Sequence, residues 1–169
     1  GIHALGMYSQ GGDWRGDALD LVAQIPILMA LIMRIREGLG PNIDGSQPEL
    51  GLVENFVHMI NMPGADIEVM NKVLKTFFIL HMDHGGGNLS TFTGKAVASG
   101  HANLYACIAS AMNALSGPLH GRANQSTLEF VQSIGTDDEV EVERFVRGEL
   151  ASKRPIFGFG HAVLRSEDP

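Results

Sequence analysis

The sequence predicts an all-α fold. Apolar residues recur at three- and four-residue intervals through most of the chain, capping residues precede several of these runs, and Gly or Pro follows them. The first run, with Leu19, Val22, Ile25, Met29, Ile32 and Met33, reads as a helix kinked at Pro26. Gly38-Leu39-Gly40-Pro41 stops it, and the polar stretch to Pro48 is a loop. A short helix over Glu49 to Ile60 ends before Pro63-Gly64. Asp66 then caps a helix whose stripe is Ile67, Met70, Val73, Leu74, Phe77, Phe78 and His81, and Gly85-Gly86-Gly87 ends it.

A helix from Ser90 to Ser99 follows. Asn103 caps the next one, whose stripe is Leu104, Cys107, Ile108, Ala111, Met112 and Leu115. Ala106, Ala109 and Ser110 keep that helix slim, so another helix can approach closely. Asn124 is expected to cap a helix over Ser126 to Ile134, with Gly135 just past its end. Val140-Glu141-Val142-Glu143 alternates like a strand. Acidic residues gathered after Thr136 favour a helix start instead, because the helix dipole attracts negative charge there, and Phe145 and Val146 continue the pattern.

Composition narrows the function. The 169 residues suffice for one domain with a sizeable core, or for one domain and part of another. Hydrophobic residues at 44% and charged residues at 18% give a globular balance. A net charge of −7 without a Lys/Arg run argues against nucleic acid as a partner. An anionic ligand must then be held by a few placed cations. The single cysteine, Cys107, excludes an intrachain disulfide and a Cys-rich zinc site, and it reads as a buried, inert thiol in a reducing setting. The longest apolar run, Ile25 to Met33, is too short to span a bilayer, so no membrane partner is expected. No initiator Met or targeting segment opens the chain, and both ends read as the interior of a longer polypeptide.

Three stretches set a histidine beside glycine. In "GPLHGRANQ", Pro118 pushes Gly117 out of the helical region, Gly121 offers backbone angles other residues avoid, and His120 stands between them. "HMDHGGGN" places His81, Asp83, His84 and Asn88 around a glycine run, and "GFGHAVLR" places His161 and Arg165 after Gly158-Phe159-Gly160. One such histidine is ordinary surface decoration; three suggest a converging ligand site. His81 and His84 share metal-ligand spacing, but His81 also continues an apolar stripe as a core histidine would, and no thiolate is near, so no metal is expected. The better reading is histidines that hold and polarise a small anion. Lys153, Arg154 and Arg165 would supply charge, though a solvated surface accounts for these cations equally well. Phe157 and Phe159 could flank a flat ligand group.

His84-Gly85-Gly86-Gly87-Asn88, Gly117-Pro118-Leu119-His120-Gly121 and Gly158-Phe159-Gly160-His161-Ala162-Val163-Leu164-Arg165 resemble, in order and separation, the three signature segments of the citrate synthase family. The similarity runs from residue 1 to residue 169 and includes Ala23-Gln24-Ile25-Pro26. It implies a mostly helical fold of a large and a small domain, with residues 1–120 from the large one and 121–169 from the start of the small one. It further implies a homodimer that condenses acetyl-CoA with oxaloacetate to give citrate and CoA, the first step of the tricarboxylic acid cycle. No cofactor is implied beyond acetyl-CoA as a substrate. The expected compartment is the cytoplasm, with the mitochondrial matrix as the alternative.

By the same resemblance His120 and His161 are catalytic. His120 donates a hydrogen bond to the thioester carbonyl, and His161 bonds the oxaloacetate keto oxygen and acts as an acid. His84 and Asn88 join them in binding oxaloacetate. Arg165 contacts the CoA phosphates, and Phe157, Gly158, Phe159 and Gly160 lie by the adenine. The chain departs from the family pattern at Gly85, where a Glu is usual, and at Phe157, where a proline is usual. The family's catalytic Asp and its oxaloacetate-binding arginines follow the third segment and fall beyond Pro169, so residues 1–169 alone are expected to be inactive. A 2-methylcitrate synthase using propionyl-CoA, and a non-catalytic synthase-like module, are the alternatives.

Overall fold

A computed structural model describes residues 1–8 and 13–160. Among the described residues there are helices and turns and no strand, as the apolar spacing predicts. The chain divides into two compact units, Gly1–Ala111 and Met112–Pro169. The first holds α1 (Ile2–Leu5), a 3-10 turn at Gly6–Tyr8, α2 (Trp14–Arg36), α3 (Leu52–Ile60), α4 (Ile67–Leu80) and α5 (Leu89–Ser99). The division falls within α6 (Leu104–Leu115), and the second unit continues with α7 (Ala123–Ile134) and α8 (Glu139–Ala151).

α2 starts earlier than its apolar stripe, because the Asp13 carboxylate accepts from the Arg15 amide at 3.1 Å and caps it. The helix continues through Pro26 to Arg36. Length and composition alone would therefore let α2 cross a membrane, although the uninterrupted apolar run within it is too short. Its Ala30 is fully buried in a cluster with Phe56, Met59 and Ile60 of α3. Leu74 and Phe78 of α4 pack against that cluster, and the Phe56 and Phe78 rings meet edge to face with centroids 6.1 Å apart.

The expected stripe of α4 splits in two. Met70, Leu74 and Phe78, spaced by four, are partly buried, whereas Ile67, Val73, Phe77 and His81 are exposed. At 100° per residue these positions cover too wide an arc for one neighbouring helix to bury. His81 is thus not a core histidine. It ends α4, stacks on Phe77 with centroids 4.0 Å apart, and its Nδ1 lies 2.7 Å from the Phe77 carbonyl oxygen.

Side chains close the remaining joints of this unit. Arg34 donates from Nη1 to the Ile60 carbonyl at 2.7 Å and from Nη2 to the Leu39 carbonyl at 3.2 Å, so one guanidinium caps both α3 and the chain leaving α2. Asn55 accepts from the Gln47 amide at 2.7 Å and donates to the carbonyls of Gln47 (3.0 Å) and Leu50 (2.9 Å), which pins the preceding loop to α3. The slim face of α6 takes up α5: a Cβ on Gly94 would stand 3.3 Å from Ala111 Cβ and 3.4 Å from the Cys107 carbonyl oxygen. Asn103 caps α6 as expected, accepting from the Ala106 amide at 2.9 Å, and Cys107 is buried.

In the second unit α7 begins at Ala123, so Asn124 lies inside the helix rather than capping it. The preceding turn makes a side-chain cap unnecessary, because its own carbonyls take the entering amides: Arg122 N–H donates to Gly117 (3.3 Å) and Ala123 N–H to His120 (2.9 Å). Gly135 follows α7 in the left-handed conformation, at φ 72°. The Val-Glu alternation is helical, as the acidic cluster predicts, with Asp138 accepting from the Glu141 amide at 3.0 Å. Phe130 of α7 and Phe145 of α8 pack edge to face at 5.8 Å.

Candidate active site

The glycine run after α4 is shaped by Asn88. Its backbone N–H donates to the Gly85 carbonyl at 3.0 Å, and its side-chain Nδ2 donates to the same oxygen at 3.2 Å. This tight turn folds His84 back over the first turn of α5, where its Nε2 lies 2.9 Å from the Ser90 hydroxyl. Ser90 is only 6% exposed. His84, Asn88 and the intervening glycines are thereby gathered at the start of α5.

Lys95 reaches the same loop from one and a half turns along that helix. Its Nζ would stand 3.5 Å from a Cβ placed on Gly86. Neither Ser90 nor Lys95 was marked by any motif. Their spacings from His84 and Gly86 follow no helical or strand period, because the turn between them is irregular. The sequence signal that could have drawn attention to Ser90 is its position inside the first turn of a helix that opens directly after the glycine run.

His120 occupies a corner closed by backbone hydrogen bonds. Its own N–H donates to Gly117 at 3.0 Å, and the Gly121 N–H donates to the Leu115 carbonyl at 2.8 Å. A Cβ on Gly121 would stand 2.4 Å from Leu115 Cγ and 2.6 Å from the Leu115 carbonyl oxygen. The left-handed backbone region holds other glycines but not Gly121. Glycine is needed here for closeness, not for unusual angles, which corrects the expectation from sequence. The His120 ring is half-buried.

The described start of the third segment meets α7 at a left-handed Gly158, φ 90°, where a Cβ would stand 3.0 Å from Thr127 Cγ2. Gly160 is left-handed too, at φ 81°. Phe157 is half-buried, and Phe159 is 79% exposed. Of the nearby cations, Arg154 is paired with Glu149 by a two-pronged contact. That hydrogen bond holds the Glu149 carboxyl below the usual carboxylate range and pushes the Arg154 guanidinium above its ordinary value. Arg154 is therefore committed within its own unit. His161 and Arg165 lie outside the described residues.

Among the described residues no group of three or more His, Cys, Asp or Glu side chains is arranged to hold a metal ion. The spacing of His81 and His84 suggests a shared ligand, yet each ring takes its own neighbour, Phe77 for one and Ser90 for the other.

Helices joined by histidine-bearing glycine corners define the class as an all-α protein. The family model described as "Citrate synthase, C-terminal domain" matches residues 1–169, and the chain belongs to the citrate synthase family. It is similar to "Citrate synthase 4, mitochondrial" of Arabidopsis thaliana, 37% identical over 158 residues that cover 90% of this chain and 32% of that relative. It is also similar to "Citrate synthase 2" of Bacillus subtilis, 38% identical over 156 residues covering 90% of this chain and 39% of the relative. The peroxisomal citrate synthase of Saccharomyces cerevisiae is 36% identical over 160 residues, covering 90% and 34%. The crystal structure of citrate synthase from Thermotoga maritima superposes with a TM-score of 0.77 at 35% identity, covering 95% of this chain and 43% of that one. The chain spans about a third of the length of the curated relatives it matches. Their names include mitochondrial and peroxisomal proteins, so family membership does not select the cytoplasm.

Proposed function

We propose that this chain is the part of a citrate synthase that binds oxaloacetate and polarises the thioester of acetyl-CoA. The observation that carries the proposal is the corner from Leu115 to Ala123, where a set of backbone hydrogen bonds fixes the residue that bears the His120 imidazole. A donor held rigidly in advance stabilises developing charge without reorganising during the reaction. In this reading the neutral His120 ring donates to the thioester carbonyl while the methyl group loses a proton to a carboxylate base. The resulting carbon attacks the keto carbon of oxaloacetate, a C–C bond forms, and the keto oxygen takes a proton from His161. Water then cleaves the thioester and releases CoA.

His84 and Asn88 orient the ketoacid; Asn88 Nδ2 carries a second N–H besides the one given to Gly85. Arg165 and the backbone of Phe157 to Gly160 hold the CoA phosphates and adenine. We assign residues 1–120 to a large domain and 121–169 to the start of a small one, and the protein to a homodimer. No cofactor beyond the acyl-CoA substrate is invoked.

The test is thiol release from acetyl-CoA in the presence of oxaloacetate, run on the full-length protein and on a polypeptide of residues 1–169. Turnover is expected from the first and none from the second, because the family's catalytic Asp follows the third segment. Turnover by residues 1–169 alone would place the base within them. Release from propionyl-CoA but not acetyl-CoA would identify a 2-methylcitrate synthase, and release from neither would identify a non-catalytic module.

A further inference from the structure

The chain between α2 and α3 is held at two points. Arg34 Nη2 donates to the Leu39 carbonyl at 3.2 Å, and Asn55 of α3 grips both the amide and the carbonyl of Gln47. Residues 42–47 form neither helix nor turn, and Asp44 and Gly45 stand exposed between the two pins. They are the one Asp-Gly pair in the sequence, which has no Asn-Gly pair. Among the described residues neither the Asp44 carboxylate nor the Gly45 amide has a hydrogen-bond partner. Beyond the immediate chain neighbours, no atom lies within 4 Å of a Cβ placed on Gly45.

We infer that Asp44 is a modification site, where the Gly45 amide nitrogen attacks the Asp44 side-chain carboxyl and converts the linkage to isoaspartate in the folded protein. In the first step the N–Cγ bond forms, and the amide proton and a carboxyl oxygen leave as water, giving a cyclic succinimide. Water then adds back at one of its two carbonyls. Addition at the former main-chain carbonyl leaves the chain running through the Asp44 side chain and frees a carboxylate on Cα. Composition, mass and net charge are unchanged, and nothing is oxidised or reduced.

The structure selects this aspartate. Attack requires the side chain to swing over the following amide, which a Cβ on the next residue hinders and glycine allows. It also requires that amide to be free. Asp17 and Asp20 lie inside α2, where the backbone is set by the helix, and the carboxylates of Asp13, Asp66 and Asp138 are taken up as helix caps. Exposed loop positions of this kind are where changes to the main chain are tolerated. The added backbone atom falls between the Leu39 and Gln47 pins, so the arc can absorb it without moving α3.

The experiment ages the full-length protein at neutral pH, folded and in urea, and counts isoaspartate by methyl transfer from S-adenosylmethionine with an isoaspartyl methyltransferase. Peptide mapping locates each acceptor. Isoaspartate should accumulate at Asp44 in the folded protein at a rate comparable to that in urea. Asp44→Glu, which would have to close a larger ring, should abolish it. Gly45→Ala should slow it several-fold while leaving the fold intact, since Gly45 is not in the left-handed region and its Cβ position is open. Isoaspartate at Asp44 in urea but not in the folded protein would overturn the inference, because the loop would then be holding the two groups apart. Equal accumulation at the other aspartates, or a signal that survives Asp44→Glu, would overturn it as well.

Discussion

The Gly121 amide and the Leu115 carbonyl oxygen, 2.8 Å apart, tie the end of α6 to the far side of the His120 corner. No side chain fits between them. Gly121→Ala would put a methyl group within 2.6 Å of that oxygen and 2.4 Å of Leu115 Cγ. The overlap should cost about 1–3 kcal/mol of stability and displace His120. A urea midpoint indistinguishable from wild type would show that the corner relaxes freely.

Replacing His120 itself separates binding from chemistry. His120→Ala in the full-length protein should lower kcat on the order of 10²–10³-fold, the usual consequence of losing one fixed donor at a developing oxyanion. Oxaloacetate binding should change far less. His161→Ala should harm both, because that ring is assigned to the ketoacid before and during bond formation. Steady-state kinetics with a separate oxaloacetate titration checks both expectations.

Arg34→Met keeps the aliphatic stem but removes the donors that satisfy Ile60 and Leu39. Two partly buried carbonyls would be stranded, at a cost of about 2–4 kcal/mol for the pair. Chemical denaturation should show the loss. Arg34→Lys should recover only a fraction of it, since one ammonium cannot span both oxygens.

Acid should weaken the joint between α3 and α4. Glu54 is held below its ordinary pKa first by its hydrogen bond from Lys75, at 2.6 Å, and then by the Gly51 amide. A carboxylate whose folded pKa is depressed contributes stability above its unfolded pKa, about 4.3, and loses it as pH falls through the lower folded value. Glu54→Gln should therefore flatten the acid limb of stability against pH, slightly, because the pair is solvent-screened. Thermal melts at neutral pH and in that acid window, compared between wild type and Glu54→Gln, measure the difference.

Helix placement was legible in the sequence because it depends on neighbours three and four residues away. Asp66 and Asn103 cap the helices expected of them, the acidic cluster opens α8 as expected, and Gly135 ends α7 in the left-handed region. The histidine-glycine segments are equally legible, and they resemble those of the citrate synthase family, to which the chain belongs. Tertiary structure decided everything that depends on which distant atom a side chain meets. It partly buried Met70, Leu74 and Phe78 and left Val73 and Phe77 exposed, since only one arc of α4 faces the Phe56 cluster. It turned Arg34 into a cap for two carbonyls, and it committed Arg154 to Glu149. It brought His84 to the Ser90 hydroxyl, because the glycine turn folds the ring onto α5. Hydrophobic periodicity records that a residue avoids water. It carries no record of the partner, because that partner is fixed by the angles of turns whose glycines leave many conformations open to the isolated chain.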